Sequence, residues 1–142
     1  MSLFAALQVS ASGMQAERTR AETLVENMAN AETTRTPDGG PYRRKDVVFS
    51  SELQESPFSA VFQNELATGV TVSDITEDKS PPEMRYMPNH PDANADGYVA
   101  FPKMNPAAEM ADLLNTTRSY QANIAAMTAV KDMITNSISL LK

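Results

Sequence analysis

The chain has no cysteine among its 142 residues, so disulfides, thiolate metal sites and cysteine nucleophiles are excluded. That absence leaves the redox compartment open. Tryptophan is missing too, and histidine occurs once, at His90. Long apolar runs are also lacking. The longest early one is Leu3 to Leu7, and no Lys or Arg precedes Arg18, so neither a cleavable secretory signal nor direct membrane insertion is expected. Positive charge is in deficit as well, with 12 Lys+Arg against 18 Asp+Glu and a net charge of -6. A chain of that balance has no global source of phosphate attraction, which makes nucleic acid a poor partner.

What is present divides the chain into three zones: an N-terminal helical arm and loop (residues 1–35), a β-rich middle punctuated by proline and glycine (36–105), and a C-terminal helical arm (106–142). The expected fold class is α+β, with the two long arms forming a coiled-coil-like pair. In the C-terminal arm Met110, Leu113, Thr117, Tyr120, Ile124, Met127, Lys131, Ile134, Ile138 and Leu141 recur at alternating spacings of three and four. Asn105 is placed to cap this helix, Pro106 suits its first position, and Glu109 suits its positive first turn. The N-terminal arm repeats the spacing less perfectly through Leu3, Leu7, Ser10, Met14, Glu17, Ala21, Leu24 and Met28, with Ser2 as a cap.

The side of the C-terminal helix opposite this seam carries Ala122, Ala125, Ala126 and Ala129, where an ordinary surface helix would be charged. Small residues let another backbone approach closely. The seam and the alanine ridge therefore read as two sticky faces, and other copies or other chains are expected to cover them. The competing reading is a self-contained helical hairpin packed on its own small sheet. In the middle zone strands are expected at Tyr42 to Phe49, Gly69 to Ile75, Met84 to Met87 and Tyr98 to Phe101.

Three motifs carry sharper alternatives. Asp92-Ala93-Asn94-Ala95-Asp96-Gly97 matches the first half of an EF-hand loop, but the position of the bidentate Glu holds Lys103, so a self-capped turn with Gly97 at positive φ is expected instead. His90-Pro91-Asp92 is the tripeptide of J-domain co-chaperones, yet no basic helix precedes it. Arg43-Arg44-Lys45, the only basic cluster, beside Tyr42 suggests a nucleic-acid or lipid patch, but it is short and reads rather as a solvated turn and edge strand. No nucleophile elbow or phosphate loop accompanies the lone histidine, and the carboxylates are scattered, so that pairing among them is a matter of geometry and not of sequence. No enzyme activity, cofactor or metal is expected.

The order of these segments resembles that of the bacterial flagellar rod and hook axial proteins, and among them the C-type proximal-rod subunits, over essentially the whole chain. The first resembling segment is Asn27-Met28-Ala29-Asn30-Ala31-Glu32-Thr33-Thr34, matching an Asn-x-Ala-Asn-x-x-Thr signature through Asn27, Ala29, Asn30 and Thr33, with Glu32 as a departure. The second is His90 to Val99, including Asp92, Asn94, Asp96, Gly97 and Tyr98. The third covers Asn105 to Leu114 and Arg118 to Asn123, while Ser56 to Leu66 is a looser stretch. The resemblance implies a structural subunit of a hollow helical rod in the periplasm, exported by the flagellar type III apparatus without signal cleavage. Its implied neighbours are further copies of itself, other proximal-rod subunits, the adaptor between rod and MS ring, and the distal rod.

Overall fold

The computed structural model describes residues 3–52 and 69–140. Ser2, the Ser56 to Leu66 stretch and Leu141 lie outside the described residues. In chain order the elements are α1 (Leu3–Ala29), β1 (Lys45–Glu52), β2 (Gly69–Glu77), β3 (Glu83–Tyr86), β4 (Tyr98–Phe101) and α2 (Pro106–Ser139). With 27 and 34 residues, α1 and α2 extend roughly 40 and 50 Å at the usual helical rise. They pack against each other as the expected pair.

The start of α2 follows its local chemistry. Pro106 occupies the first turn, where its missing N–H costs nothing, and Asn105 Oδ1 accepts the Ala107 N–H at 3.0 Å. At its other end α1 stops at Asn30, whose side-chain amide donates to the Glu26 carbonyl at 2.9 Å and whose Oδ1 accepts the Thr33 hydroxyl at 3.1 Å. The chain then turns through Gly39 and Gly40, with φ of 89° and 80°, and closes by a Thr36 N–H bond to the Gly40 carbonyl at 2.9 Å.

The strands form two separate antiparallel pairs, β1 with β2 and β3 with β4. The first pair lies on α1, and the Val70 N–H of β2 donates to Ser12 Oγ at 3.1 Å. A bulge between Val48 and Phe49 shifts its register. Ser73, facing that irregularity, donates its hydroxyl to the Val48 carbonyl at 3.1 Å. Strand β1 begins at Lys45 and not at Tyr42, because the Tyr42 N–H is already committed to the Thr33 carbonyl at 3.0 Å. In the second pair Val99 and Phe101 turn inward and are buried, while the opposite face leaves Met84, Tyr86 and Tyr98 exposed.

The contact between the helices is not the apolar seam that the spacing suggested. Leu113, Met127 and Ile134 lie on the inner side as expected. At alternate positions the helix is rotated by one residue. Glu109, Thr116 and Val130 are buried and Asn123 is half-buried, whereas Met110, Thr117, Ile124 and Lys131 are exposed. The polar inner positions have local reasons. Gly13 of α1 leaves room for Asn123, since a Cβ there would meet Asn123 Nδ2 at 3.1 Å. Glu109 has charged and amide partners waiting, described below. Among the described residues the buried apolar side chains are correspondingly few: Ala16, Leu24, Tyr42, Val99, Phe101 and Val130.

Candidate functional site

Three features compete for a functional role: a buried polar cluster at one end of the helix pair, the turn between β3 and β4, and the open faces of the helices.

The cluster is centred on Asn27, which has no exposed surface. Its Nδ2 donates to the Lys45 carbonyl at 2.8 Å and to Glu109 Oε2 at 3.1 Å. Its Oδ1 accepts the Lys45 N–H at 2.9 Å and the Tyr42 hydroxyl at 3.0 Å. Every hydrogen-bonding position of one amide is thus used to join the end of α1, the start of β1 and the first turn of α2. Glu109, 2% exposed, would be costly to bury alone; Arg44 Nε meets its Oε1 at 2.5 Å and also pairs with Asp46. Burial works against the Arg44 charge, but Glu109 and Asp46 outweigh it and hold the guanidinium pKa above its ordinary value. Tyr42 is pushed up to about 12, first by burial and then by Glu26, Glu77 and Glu109, so its phenol stays protonated as the donor to Asn27.

These partners correct the reading of the basic cluster. Arg44 and Lys45 are not a solvated edge: Arg44 reaches Glu109, and Lys45 Nζ lies 2.6 Å from Glu26 Oε1. Arg43 alone of the three is exposed. Tyr42, Arg44 and the burial of Glu109 were missed from sequence. The available signal was an acid in the first turn of a helix, followed through to a basic run beside a tyrosine.

The turn between β3 and β4 has the geometry expected of a self-capped loop. Asn94 Oδ1 accepts the Asp96 and Tyr98 N–H groups at 3.0 and 2.8 Å, and Gly97 has φ of 79°. Any Cβ at Gly97 would lie 2.9 Å from Tyr86 Cε2. His90 Nδ1 accepts the Asp92 N–H at 3.1 Å, which makes the histidine a turn former, and the tripeptide stands between strands and not between helices. Asp92 in turn accepts the Thr34 hydroxyl at 2.8 Å. The first two of the three segments that carried the family resemblance are therefore tied to each other. Ala29 makes no such link and is exposed. Among the described residues no cluster of His, Asp and Glu is arranged to hold a metal ion, and no helix is long and apolar enough to cross a membrane.

The candidate assembly residues are dispersed by burial. Leu24 is buried, and Leu7, Met14, Met28, Leu113, Met127 and Ile134 are half-buried between elements. By contrast Leu3, Met110, Tyr120, Ile124 and Ile138 are exposed, as are Ala122, Ala125, Ala126 and Ala129. Phe4 and Leu114, not singled out from sequence, are 76% and 58% exposed. An apolar surface of this extent along two adjacent helices is unusual for a solitary soluble chain.

Comparison with known proteins agrees with this arrangement. The family described as the C-terminal part of the flagellar basal body rod FlgEFG proteins matches residues 95–140, spanning β4 and α2. Over 100% of both chains the sequence is 41% identical to the flagellar basal-body rod protein FlgC of Bacillus subtilis. It is 35% identical to that of Borreliella burgdorferi over 100% of this chain and 99% of the relative. With that of Salmonella typhimurium the identity is 34%, covering 99% and 98%. At these identities over full length, the chain belongs to the flagellar basal-body rod protein FlgC family.

Proposed function

We propose that this chain is a structural subunit of the bacterial flagellar basal-body rod, polymerising through its terminal helices into a hollow helical tube. The tube carries torque along its axis and surrounds a channel for later exports. The observation that carries this reading is the uncovered apolar surface of the helix pair: Met110, Leu114, Ile124, Met133 and Ile138 are 53, 58, 45, 49 and 56% exposed. Covering such side chains stabilises a contact by about 25 cal/mol for each Å² of apolar surface removed from water. A self-contained hairpin would have no use for them.

A contact between two different faces of one subunit, where its rotation does not close into a ring, generates a helix on repetition. In this reading the neighbours are further copies, other proximal-rod subunits, the adaptor to the MS ring and the distal-rod protein. The flagellar type III apparatus handles the chain during export. The work is mechanical, not catalytic. Ile124→Asp tests the reading, because Ile124 is 45% exposed and its replacement leaves the monomer fold intact while placing a charge in the contact. Cells depending on that variant are expected to lack complete rods in electron micrographs, whereas Asn136→Asp, at an exposed polar position of α2, is tolerated. Normal basal bodies and swimming with Ile124→Asp would reject assembly through this face.

A further inference from the structure

Between α1 and α2 lies a cleft of about 210 Å³ lined by Glu17, Arg18, Ala21, Thr116, Thr117 and Tyr120. Among the described residues, two buried polar atoms at this cleft, Glu17 Oε2 and Thr116 Oγ1, have no hydrogen-bond partner. Arg18 does not answer them, because its guanidinium is turned to Glu22 at 2.9 Å on the exposed side. A carboxylate oxygen taken out of water without a donor is costly. In the free chain water can fill a cleft of this size, at roughly 30 Å³ per molecule. With Arg18 held by Glu22 and the Thr117 hydroxyl donating to the Leu113 carbonyl, the site offers a cationic donor one carboxylate and one uncommitted hydroxyl, Thr116, beside the Tyr120 ring.

The same chain carries the complementary group. Lys131 is the one cation in the apolar series that runs from Met110 to Ile138, it is exposed, and no ion pair holds it among the described residues. If that face is covered on assembly, its ammonium must find an acceptor. We propose that the ammonium of Lys131 from a neighbouring copy enters the cleft and pairs with Glu17 and Thr116. This rests on the assembly reading above and adds a register to it. Thr116 and Lys131 are fifteen residues apart on one helix, a rise of roughly 20 Å. Copies pointing the same way must therefore be staggered by about that distance along the helix axis. Such a contact joins unlike surfaces and leaves a free cleft at one end and a free lysine at the other, which is the condition for open polymerisation.

The absence of cysteine makes the test clean. Full-length chain carrying Glu17→Cys and Lys131→Cys together, assembled into rods and oxidised, is expected to give disulfide-linked multiples of this chain's mass, and neither single variant to do so. Lys131→Glu is expected to abolish swimming and Glu17→Lys in the same chain to restore it. Because Lys131 is exposed, its replacement does not endanger the fold, and circular dichroism of the purified Lys131→Glu chain should match that of the parent. Normal swimming with Lys131→Glu, no cross-link in the double-cysteine rods, or a cross-link to a protein of different mass would each overturn the pairing. Were Ile124→Asp still to abolish rods in that case, assembly through the helix face would stand and only the cleft would fail.

Discussion

Asn27→Ala is expected to be among the most damaging single changes in the chain, although it removes only one small polar side chain. The amide serves four partners, and its loss strands the Tyr42 hydroxyl, both backbone groups of Lys45 and one oxygen of Glu109. Some relief comes from water entering the space and from Arg44, which keeps its own bond to Glu109. A buried group left without a partner costs about 1–3 kcal/mol. With half of the four groups effectively rehydrated, the loss is about 2–6 kcal/mol, a large part of a typical domain stability of about 5–15 kcal/mol. Urea unfolding followed by circular dichroism measures it as a shift of the midpoint with little change in slope. Asn27→Asp separates the hydrogen-bond argument from mere packing. It is nearly isosteric and keeps the two acceptor bonds, but it replaces the donor facing Glu109 with a second carboxylate. It should destabilise at least as much as alanine near neutral pH. Asn30→Ala, at a half-exposed helix end, should cost only about 1 kcal/mol. A loss below about 0.5 kcal/mol for Asn27→Ala would refute the claim that this cluster holds the three elements together.

Three further outcomes are expected. Because the Tyr42 phenol is raised from 10.0 to about 12, its contribution is complete below pH 10 and is lost as pH climbs towards 12. The parent should therefore lose on the order of 2 kcal/mol over that interval that Tyr42→Phe does not lose, and parallel alkaline profiles would contradict the burial assigned to the ring. Calcium should change neither fold nor assembly, since Asn94 is already engaged by the turn's own N–H groups; saturable micromolar binding in calorimetry that vanishes in Asp92→Ala would contradict this. In dilute monomer, amide exchange should be fast through the last turns of α2 beyond Val130 and slowest around Asn27, Val99 and Glu109, where burial concentrates; uniform slow exchange to Ser139 would count against a chain completed by its neighbours.

Much of the fold was legible because it is written in local chemistry. Asn105 and Pro106 mark the start of α2 by cap and ring geometry, and β4 spans Tyr98 to Phe101 as its apolar residues suggest. Gly97 follows from an Asn that caps its own turn. These features depend on a few neighbouring residues. The phase of α2 depends on residues more than sixty positions away. Met110 and Ile124 look like inward residues by hydropathy, and Glu109 and Asn123 look like outward ones. What reverses them is Asn27 and Arg44 meeting Glu109, and Gly13 making room for Asn123. A heptad reading weighs apolarity and has no term for a polar group whose partners arrive from elsewhere. The same limit hid Arg44, whose role exists only once the segment leading into β1 lies against the first turn of α2.

That reversal bears on how one short chain can serve both as a folded unit and as a polymer. If the apolar side chains of α2 all faced α1, the hairpin would satisfy itself and offer little to a neighbour. Here the contact with α1 is held in good part by polar groups at one end, around Asn27 and Glu109, and by close approach at Gly13. Hydrogen bonds of this kind need correct geometry, so they fix the angle and register of the pair without consuming its large apolar side chains. Met110, Leu114, Ile124, Met133 and Ile138 are thereby left outward, where burial in a neighbour can stabilise assembly. The division also predicts different failures. Breaking the cluster, as in Asn27→Ala, should lower monomer stability first and rod formation only as a consequence. Charging the outer face, as in Ile124→Asp, should leave the urea midpoint within about 0.5 kcal/mol of the parent and remove the rod. If both variants shifted the midpoint equally, the two surfaces would not be separate, and a single shared core would have to account for both.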